Sequence, residues 1–444
     1  MSRLAALFLS EDRQYFPFIA AALFFGVVVG FPLGLTLAHA AAQDSNLGGR
    51  WQPLVQAHGH LQLFGWIGMF VMGMGYRLVP RFTGVRVRPR ALVPLTLVLM
   101  ASGLALRGLA QPFADESPLA AVFVASAALE AAGTLVFSGV VLRCLATGRR
   151  EAFLYSPFFA AGAVWAAVAA LLGLVFVIAA ARDSATTLPA LRASALTFVG
   201  LYGFVVMFVL AVSMRTFPIF FERRPARPLP TLAAWALANG GIAAYAAAFI
   251  WKSYDHSADV RLLQTAGFLA AGVALLALLV LLRIFEGQPV RLRTSARRSM
   301  RFVRSAYFWL LVAAALEVYF SLRALADELP PTHFQTDAVR HFIAVGFATA
   351  MIVGMALLVV PRLAMRRAQA RPARLVAPVL LVLVHGATAA RGAGSLLAGG
   401  TRLEAGYWTM SVGGMAAVVA MVVFAVYLLW PVRPPEIPVA ARPE

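Results

Sequence analysis

The amino-acid sequence predicts an all-α polytopic membrane helix bundle with about twelve transmembrane helices. The first observation is composition, because 61% of the residues are hydrophobic and only 13% are charged, unlike ordinary soluble domains. The second is the recurrence of apolar segments of about 20 residues or more, the length an α-helix needs to cross a bilayer. The third is the alternation of positive charge between successive loops. A lipid bilayer is therefore the expected solvent.

Twelve apolar segments are long enough to cross a membrane, and we number them spans 1 to 12. They cover residues 15–40, 57–80, 90–110, 118–143, 153–181, 191–221, 229–251, 260–284, 303–326, 337–361, 374–397 and 406–430. Residues 2–14 lack the short apolar core of a cleavable signal peptide, and the first apolar segment is too long for one. Span 1 is therefore expected to remain in the mature protein.

The net charge of +19 indicates membrane topology. Arginines are concentrated in the loops after spans 2, 4, 6, 8 and 10, whereas the opposite loops contain acidic residues such as Asp115 and Asp259. Because short cytoplasmic loops retain positive charge, the arginine-rich loops and both termini are predicted to be cytoplasmic. Nucleic-acid binding is not expected, since the arginines are dispersed over five short loops instead of one surface.

An internal repeat emerges when spans 2, 6 and 10 are aligned on the proline at the end of each. The prolines are Pro80, Pro218 and Pro361. A glycine lies 15 residues before each proline, and the position 20 residues before it is His60, Phe198 and His341 in turn. The spacing predicts one membrane domain, residues 1–444, built from three four-span units of approximately 1–148, 149–290 and 291–444. Coincidence is the alternative, because proline at helix ends and glycine at helix contacts are both common in membranes.

His60 and His341 share a depth in the bilayer, because each lies 20 residues before its proline on spans that run in the same direction. Two neutral imidazoles at one level on separate helices can bind one haem iron from opposite faces. The pair predicts a haem ligated by His60 and His341, with a structural role as the alternative for each.

Two segments carry a resemblance to a known family. They are Ala57–Trp66 (AHGHLQLFGW), which is followed by Pro80–Phe82 at the end of the span, and Arg340–Gly346 (RHFIAVG). They resemble the NnrS family and, more remotely, subunit I of the haem-copper oxidases and nitric oxide reductases. The resemblance implies a bacterial inner-membrane protein with haem and copper that is linked to nitric oxide. It also implies low-spin haem ligands on spans 2 and 10, which map onto His60 and His341.

The sequence departs from the oxidases at the dioxygen-reducing centre. Their copper ligands come from histidines on spans 6 and 7, and this chain has no histidine between His60 and His256. Their span 10 has a second histidine two residues from the low-spin ligand, where this chain has Val339 and Ile343. Reduction of oxygen at a haem-copper centre is therefore not expected.

Other polar residues are candidates for supporting roles. Arg391 is the best partner for the haem propionates and Arg340 is a second, although either could simply extend to the membrane interface. His58 lies about 200° around the helix from His60 and cannot share its iron. It could form a copper or second haem site with His39, His385 or His333.

Two intramembrane carboxyls are also notable. Glu130 on span 4 and Glu317 on span 9 require a hydrogen-bond partner, a proton or a polar cavity. Each could belong to a structural hydrogen bond or to a proton route, and no route is predicted.

Three functions fit this pattern. The first is a haem b protein of nitric oxide response or membrane electron transfer, with nitric oxide or a redox protein as partner; if catalytic, it would be a haem-dependent oxidoreductase. The second is a proton-coupled or solute transporter, against which stand the threefold repeat and the lack of paired broken spans. The third is a cofactor-free assembly subunit.

Overall fold

A computed structural model describes residues 14–45, 47–148, 154–287, 294–327, 329–363, 370–400 and 402–429. These residues form helices and short connections, without strands in the described ranges. Twelve helices are long and apolar enough to cross a membrane, which confirms the predicted all-α multi-pass fold. Much of the predicted basic loops lies outside the described residues, at 149–153, 288–293 and 364–369, as do both termini. The cytoplasmic orientation of the termini therefore stays a prediction.

Each predicted span corresponds to one of the twelve helices. The helices are Phe16–Ala42, Gly48–Thr83, Leu92–Phe113, Pro118–Thr147, Ser156–Arg182, Ala190–Phe221, Pro228–Tyr254, Arg261–Leu281, Ala296–Asp327, His333–Val359, Ala373–Ala398 and Leu403–Leu429. Spans 2 and 9 begin well before their apolar segments, at Gly48 and Ala296. Backbone hydrogen bonding continues the helix beyond the hydrocarbon core, where polar side chains are tolerated, so hydropathy misses those turns.

Spans 2, 6 and 10 form the centre of the bundle. In their most apolar stretches 83%, 83% and 72% of the residues are buried, against 28–44% in the other nine spans. The three central spans contact one another, and the others form three arcs of neighbouring helices. The arcs consist of spans 11, 12 and 1, spans 3, 4 and 5, and spans 7, 8 and 9. The central spans are therefore enclosed by other helices, so the polar side chains at their outer ends must find partners within the protein.

A π-helical segment lies at the same place in each central span. The segments are Leu61–Gly68, Val199–Val206 and Phe342–Thr349. Each begins one residue after the repeat position occupied by His60, Phe198 or His341, and the three segments contact one another. Because π-helical turns are rare and occur mostly at functional sites, their recurrence supports our proposal of three four-span units.

The aligned glycines of the central spans receive aromatic rings from the first span of each unit. A methyl group added at Gly203 would lie 2.5 Å from Cγ of Trp165 on span 5, and one added at Gly346 would lie 2.6 Å from Cγ of Trp309 on span 9. The corresponding group at Gly65 would lie 2.9 Å from Cβ of Phe25 on span 1. We call these three contacts the glycine sockets. They explain physically why the repeat keeps a glycine at this position.

Filling a glycine socket is expected to destabilise the bundle. Gly203→Ala should lower the free energy of unfolding by about 1–3 kcal/mol, because the new methyl group overlaps Trp165. Gly240→Ala is the matched control, since a methyl group there meets no atom within 4 Å. Thermal unfolding of the purified variants in detergent measures both effects. Equal stability of the two variants would contradict the assigned packing.

Candidate functional site

His58 on span 2 is held by span 1. Its Nδ1 donates a hydrogen bond to the carbonyl oxygen of Gly30 at 2.9 Å, at the end of the π-helical segment Phe24–Gly30. The imidazole packs directly on Gly34, where any side chain would collide with the ring. Span 1 therefore fixes the rotation of this imidazole through one carbonyl and one glycine.

His341 on span 10 is fixed in a similar way by its own helix. Its Nδ1 lies 2.9 Å from the carbonyl oxygen of Asp337, one turn earlier, and 3.3 Å from Oδ1 of the same residue. The other carboxylate oxygen of Asp337 lies 2.9 Å from Arg391 on span 11 and accepts a hydrogen bond from Ser395. Arg391 also contacts Ser395 at 2.9 Å and the sulfur of Met410 at 2.7 Å.

His58 and His341 belong to one electrostatic cluster. The charges of His341, Arg391 and Asp337 all act on His58, and we call these four residues the His58–His341 cluster. Within the described part of the chain, Nε2 of neither histidine forms a hydrogen bond. A neutral imidazole that donates Nδ1–H to a carbonyl keeps the Nε2 lone pair for a metal. The cluster thus presents two oriented imidazole ligands on two central spans.

His60 faces span 4 instead. Its Nε2 lies 2.6 Å from Oε2 of Glu130, and the charged groups acting on it are Glu130 and Arg107. The charge of His341 thus acts on His58 and is not among the charges that act on His60. The cause is the angle between residues two apart on a helix, combined with the need of an intramembrane carboxyl for a polar partner. Ligation by His60 stays a prediction that these contacts do not test.

The chain matches a known protein family over most of its length. A family model described as NnrS protein matches residues 15–433. The chain belongs to the NnrS family. The match covers all twelve spans, so the His58–His341 cluster of this NnrS protein lies inside the family region. No curated protein matches the chain.

A buried polar network in the NnrS chain was missed by sequence reasoning. Arg107 on span 3 donates to Gln111 at 2.8 Å, and Gln111 donates to Gln56 at 3.2 Å. Gln56 bonds both the carbonyl and the N–H of Leu188 at 2.8 Å. The network joins spans 2 and 3 to the segment before span 6. An arginine inside apolar span 3 was the available signal, since an intramembrane charge requires partners.

The other histidines that were predicted as metal ligands lie in separate environments. Both ring nitrogens of His385 are engaged, with Ser305 at 2.7 Å and Trp309 at 2.8 Å. His39 contacts Ser411 at 3.2 Å. Across the described ranges, no three His, Cys, Asp or Glu side chains are grouped so that they could hold a metal ion. The predicted copper or second haem site of His58 with His39, His385 or His333 stays a prediction.

Arg340 lies in a different environment from Arg391. It lines a small cavity with Tyr202 and Tyr245, and its charge acts on both tyrosines. Of the two arginines predicted to face haem propionates, only Arg391 is therefore part of the His58–His341 cluster.

Proposed function

We propose that this NnrS-family protein binds haem b between spans 2 and 10 through His58 and His341, and that it acts in nitric oxide response or membrane electron transfer. The observation that carries the proposal is the equivalent hydrogen bonding of the two imidazoles. Each is held through Nδ1 by a backbone carbonyl at 2.9 Å, which leaves Nε2 for iron. Their central spans are those on which the remote resemblance to haem-copper oxidases suggests haem ligands.

The residues present fit such a group chemically. Neutral histidine pairs are established axial ligands of haem iron. The contacts of Arg391 to Asp337, Ser395 and Met410 all use one guanidinium nitrogen. A guanidinium has five N–H donors, so donors remain for a propionate.

The side chains around the ligands have distinct roles in this proposal. Asp337 accepts the Nδ1 proton of His341 through its carbonyl, which holds the tautomer in which Nε2 is the ligand. Arg391 neutralises the Asp337 carboxylate, and the Gly30 carbonyl selects the same tautomer of His58. When bound, the haem supplies a one-electron couple. These residues orient its ligands and balance its charge.

Localisation and partners follow the same proposal. We assign the protein to the bacterial inner membrane with both termini cytoplasmic, on the strength of its twelve spans and the arginine bias of its loops. Nitric oxide or a redox protein is the proposed partner. Copper is kept as a second proposed cofactor.

Absorption spectra of the purified protein test the proposal. We expect a reduced-minus-oxidised spectrum with a sharp low-spin α band, because two imidazoles complete the coordination of the iron. Extraction of the pigment should identify non-covalent haem b. A folded, monodisperse preparation without haem, from cells supplied with haem precursor, would contradict the proposal and favour a transporter or an assembly subunit.

A further inference from the structure

Span 9 contains a buried carboxyl group that the proposed haem site does not use. Glu317 is 0% exposed. The hydroxyl of Tyr202 on span 6 donates a hydrogen bond to Oε1 of Glu317. Oε2 of Glu317 is buried without a hydrogen-bond partner among the described residues. One half of the carboxyl group is therefore available to another ligand.

The surroundings of Glu317 are mostly aromatic. Tyr202 stacks on Phe198 with ring centroids 4.0 Å apart, and Phe198 packs on Tyr245 at 4.1 Å. Phe198 occupies the repeat position at which spans 2 and 10 carry histidines. On span 8, a methyl group added at Gly272 would lie 3.0 Å from Cβ of Glu317. The aliphatic stem of the carboxyl group is thus enclosed on two sides.

The titratable or charged side chains facing this carboxyl group come from three central or neighbouring spans. Tyr202 is on span 6, Tyr245 on span 7 and Arg340 on span 10. The charge of Arg340 acts on the two tyrosines. No salt bridge to Glu317 is formed within the described ranges. An ionised carboxylate enclosed in this way would be costly, whereas a carboxyl that holds a proton would not.

Two adjoining cavities lead towards this group. Both are lined by Tyr245, Phe268 and Thr336, and each has room for about one water molecule. The first also contacts Tyr202, the partner of Glu317, and the second contacts Ser321.

The second cavity has a polar floor and a half-buried mouth. Ser321 lies one turn after Glu317 on span 9, and its hydroxyl is buried without a partner among the described side chains. Gln264, Thr265 and Pro331 line the other end and are partly exposed. The second cavity thus extends from a half-buried end near Pro331 to the hydroxyl of Ser321, one turn from Glu317.

We propose that Glu317, with Tyr202 and Ser321, forms a proton-binding site that exchanges with water through these cavities. The proton resides on Glu317, whose carboxyl group accepts from Tyr202 at Oε1 and donates from Oε2 to water. The site adjoins Phe198, which stacks on Tyr202. Phe198 occupies the repeat position at which spans 2 and 10 carry histidines. It requires no haem, so it holds or fails independently of the proposed function.

Infrared spectroscopy of the full-length protein tests the site. At neutral pH the wild type should give a protonated-carboxyl stretching band that shifts when the medium is changed to D₂O. Glu317→Gln should abolish that band, whereas Glu404→Gln, at an exposed position of span 12, should leave it unchanged. Tyr202→Phe should shift its frequency by removing the hydrogen bond to Oε1, which gives an independent readout if Glu317→Gln does not fold.

The route is tested by the rate of exchange. Thr336→Met should slow the D₂O shift severalfold by filling the space common to both cavities, whereas Thr409→Met, at a half-buried threonine of span 12 that lines neither cavity, should not. A wild-type spectrum without a protonated carboxyl overturns the site. So does a band that is insensitive to both Glu317→Gln and Tyr202→Phe. Unchanged exchange in Thr336→Met overturns the route.

Discussion

His58→Ala and His341→Ala are each expected to abolish the low-spin haem spectrum, whereas His60→Ala is expected to retain it. His58 and His341 form one cluster with Nδ1 of each committed to a carbonyl. His60 instead directs Nε2 at Glu130, 2.6 Å away. Loss of an axial imidazole removes the sixth ligand of the iron and part of the binding free energy. Haem content per folded protein and the reduced α band measure the effect.

His385→Ala is the matched control for these substitutions. It removes an intramembrane imidazole whose two nitrogens are already bonded to span 9, and it should leave haem content unchanged. If His60→Ala and His341→Ala lose the haem while His58→Ala retains it, the ligands are the pair predicted from sequence depth. Retention of full haem content in His341→Ala would contradict both pairs.

Glu130→Ala is expected to lower the free energy of unfolding by about 1–3 kcal/mol, because it leaves the buried imidazole of His60 without its hydrogen-bond partner. The pair is well enclosed, with only 11% of the His60 side chain and 9% of the Glu130 side chain exposed. Chemical or thermal unfolding in detergent provides the measurement. Haem content should fall much less per folded molecule than in His58→Ala.

A double-mutant cycle separates the pair from simple loss of packing. His60→Leu combined with Glu130→Leu should be more stable than the sum of the two single changes predicts, since neither member of the His60–Glu130 hydrogen bond is then left without the other. Glu404→Ala, at an exposed site, is the control. Additive effects of the two leucine substitutions would contradict the assigned bond.

The number and positions of the spans could be predicted because the bilayer imposes a length on every helix. The proline register could also be read, and the three spans that it aligns, 2, 6 and 10, lie at the centre of the bundle. The rotation of each helix about its own axis could not be predicted. His60 directly precedes a π-helical segment, and one inserted residue turns the preceding helix by about 100° relative to the following one. The sequence therefore predicts a shared depth for His60 and His341, but it does not predict that the charge of His341 acts on His58.

The partners of the buried polar groups could not be predicted from the sequence either. Glu130 and Glu317 were recognisable as costly residues, yet nothing local indicates that one meets a histidine of span 2 and the other a tyrosine of span 6. Such contacts depend on how distant helices pack. The pairing of Asp337 on span 10 with Arg391 on span 11 is a further contact of this kind.

The glycine sockets bear on the order in which the chain assembles. Each joins the first and second helices of one proposed unit, which are neighbours in sequence and emerge from synthesis together. The contact between spans 12 and 1 is different, because it connects the two ends of the chain. Helix pairs can therefore form early and locally, whereas the ring around the centre can close only after the last helix has been inserted. Until then the flank of span 1 that receives span 12 remains open to lipid.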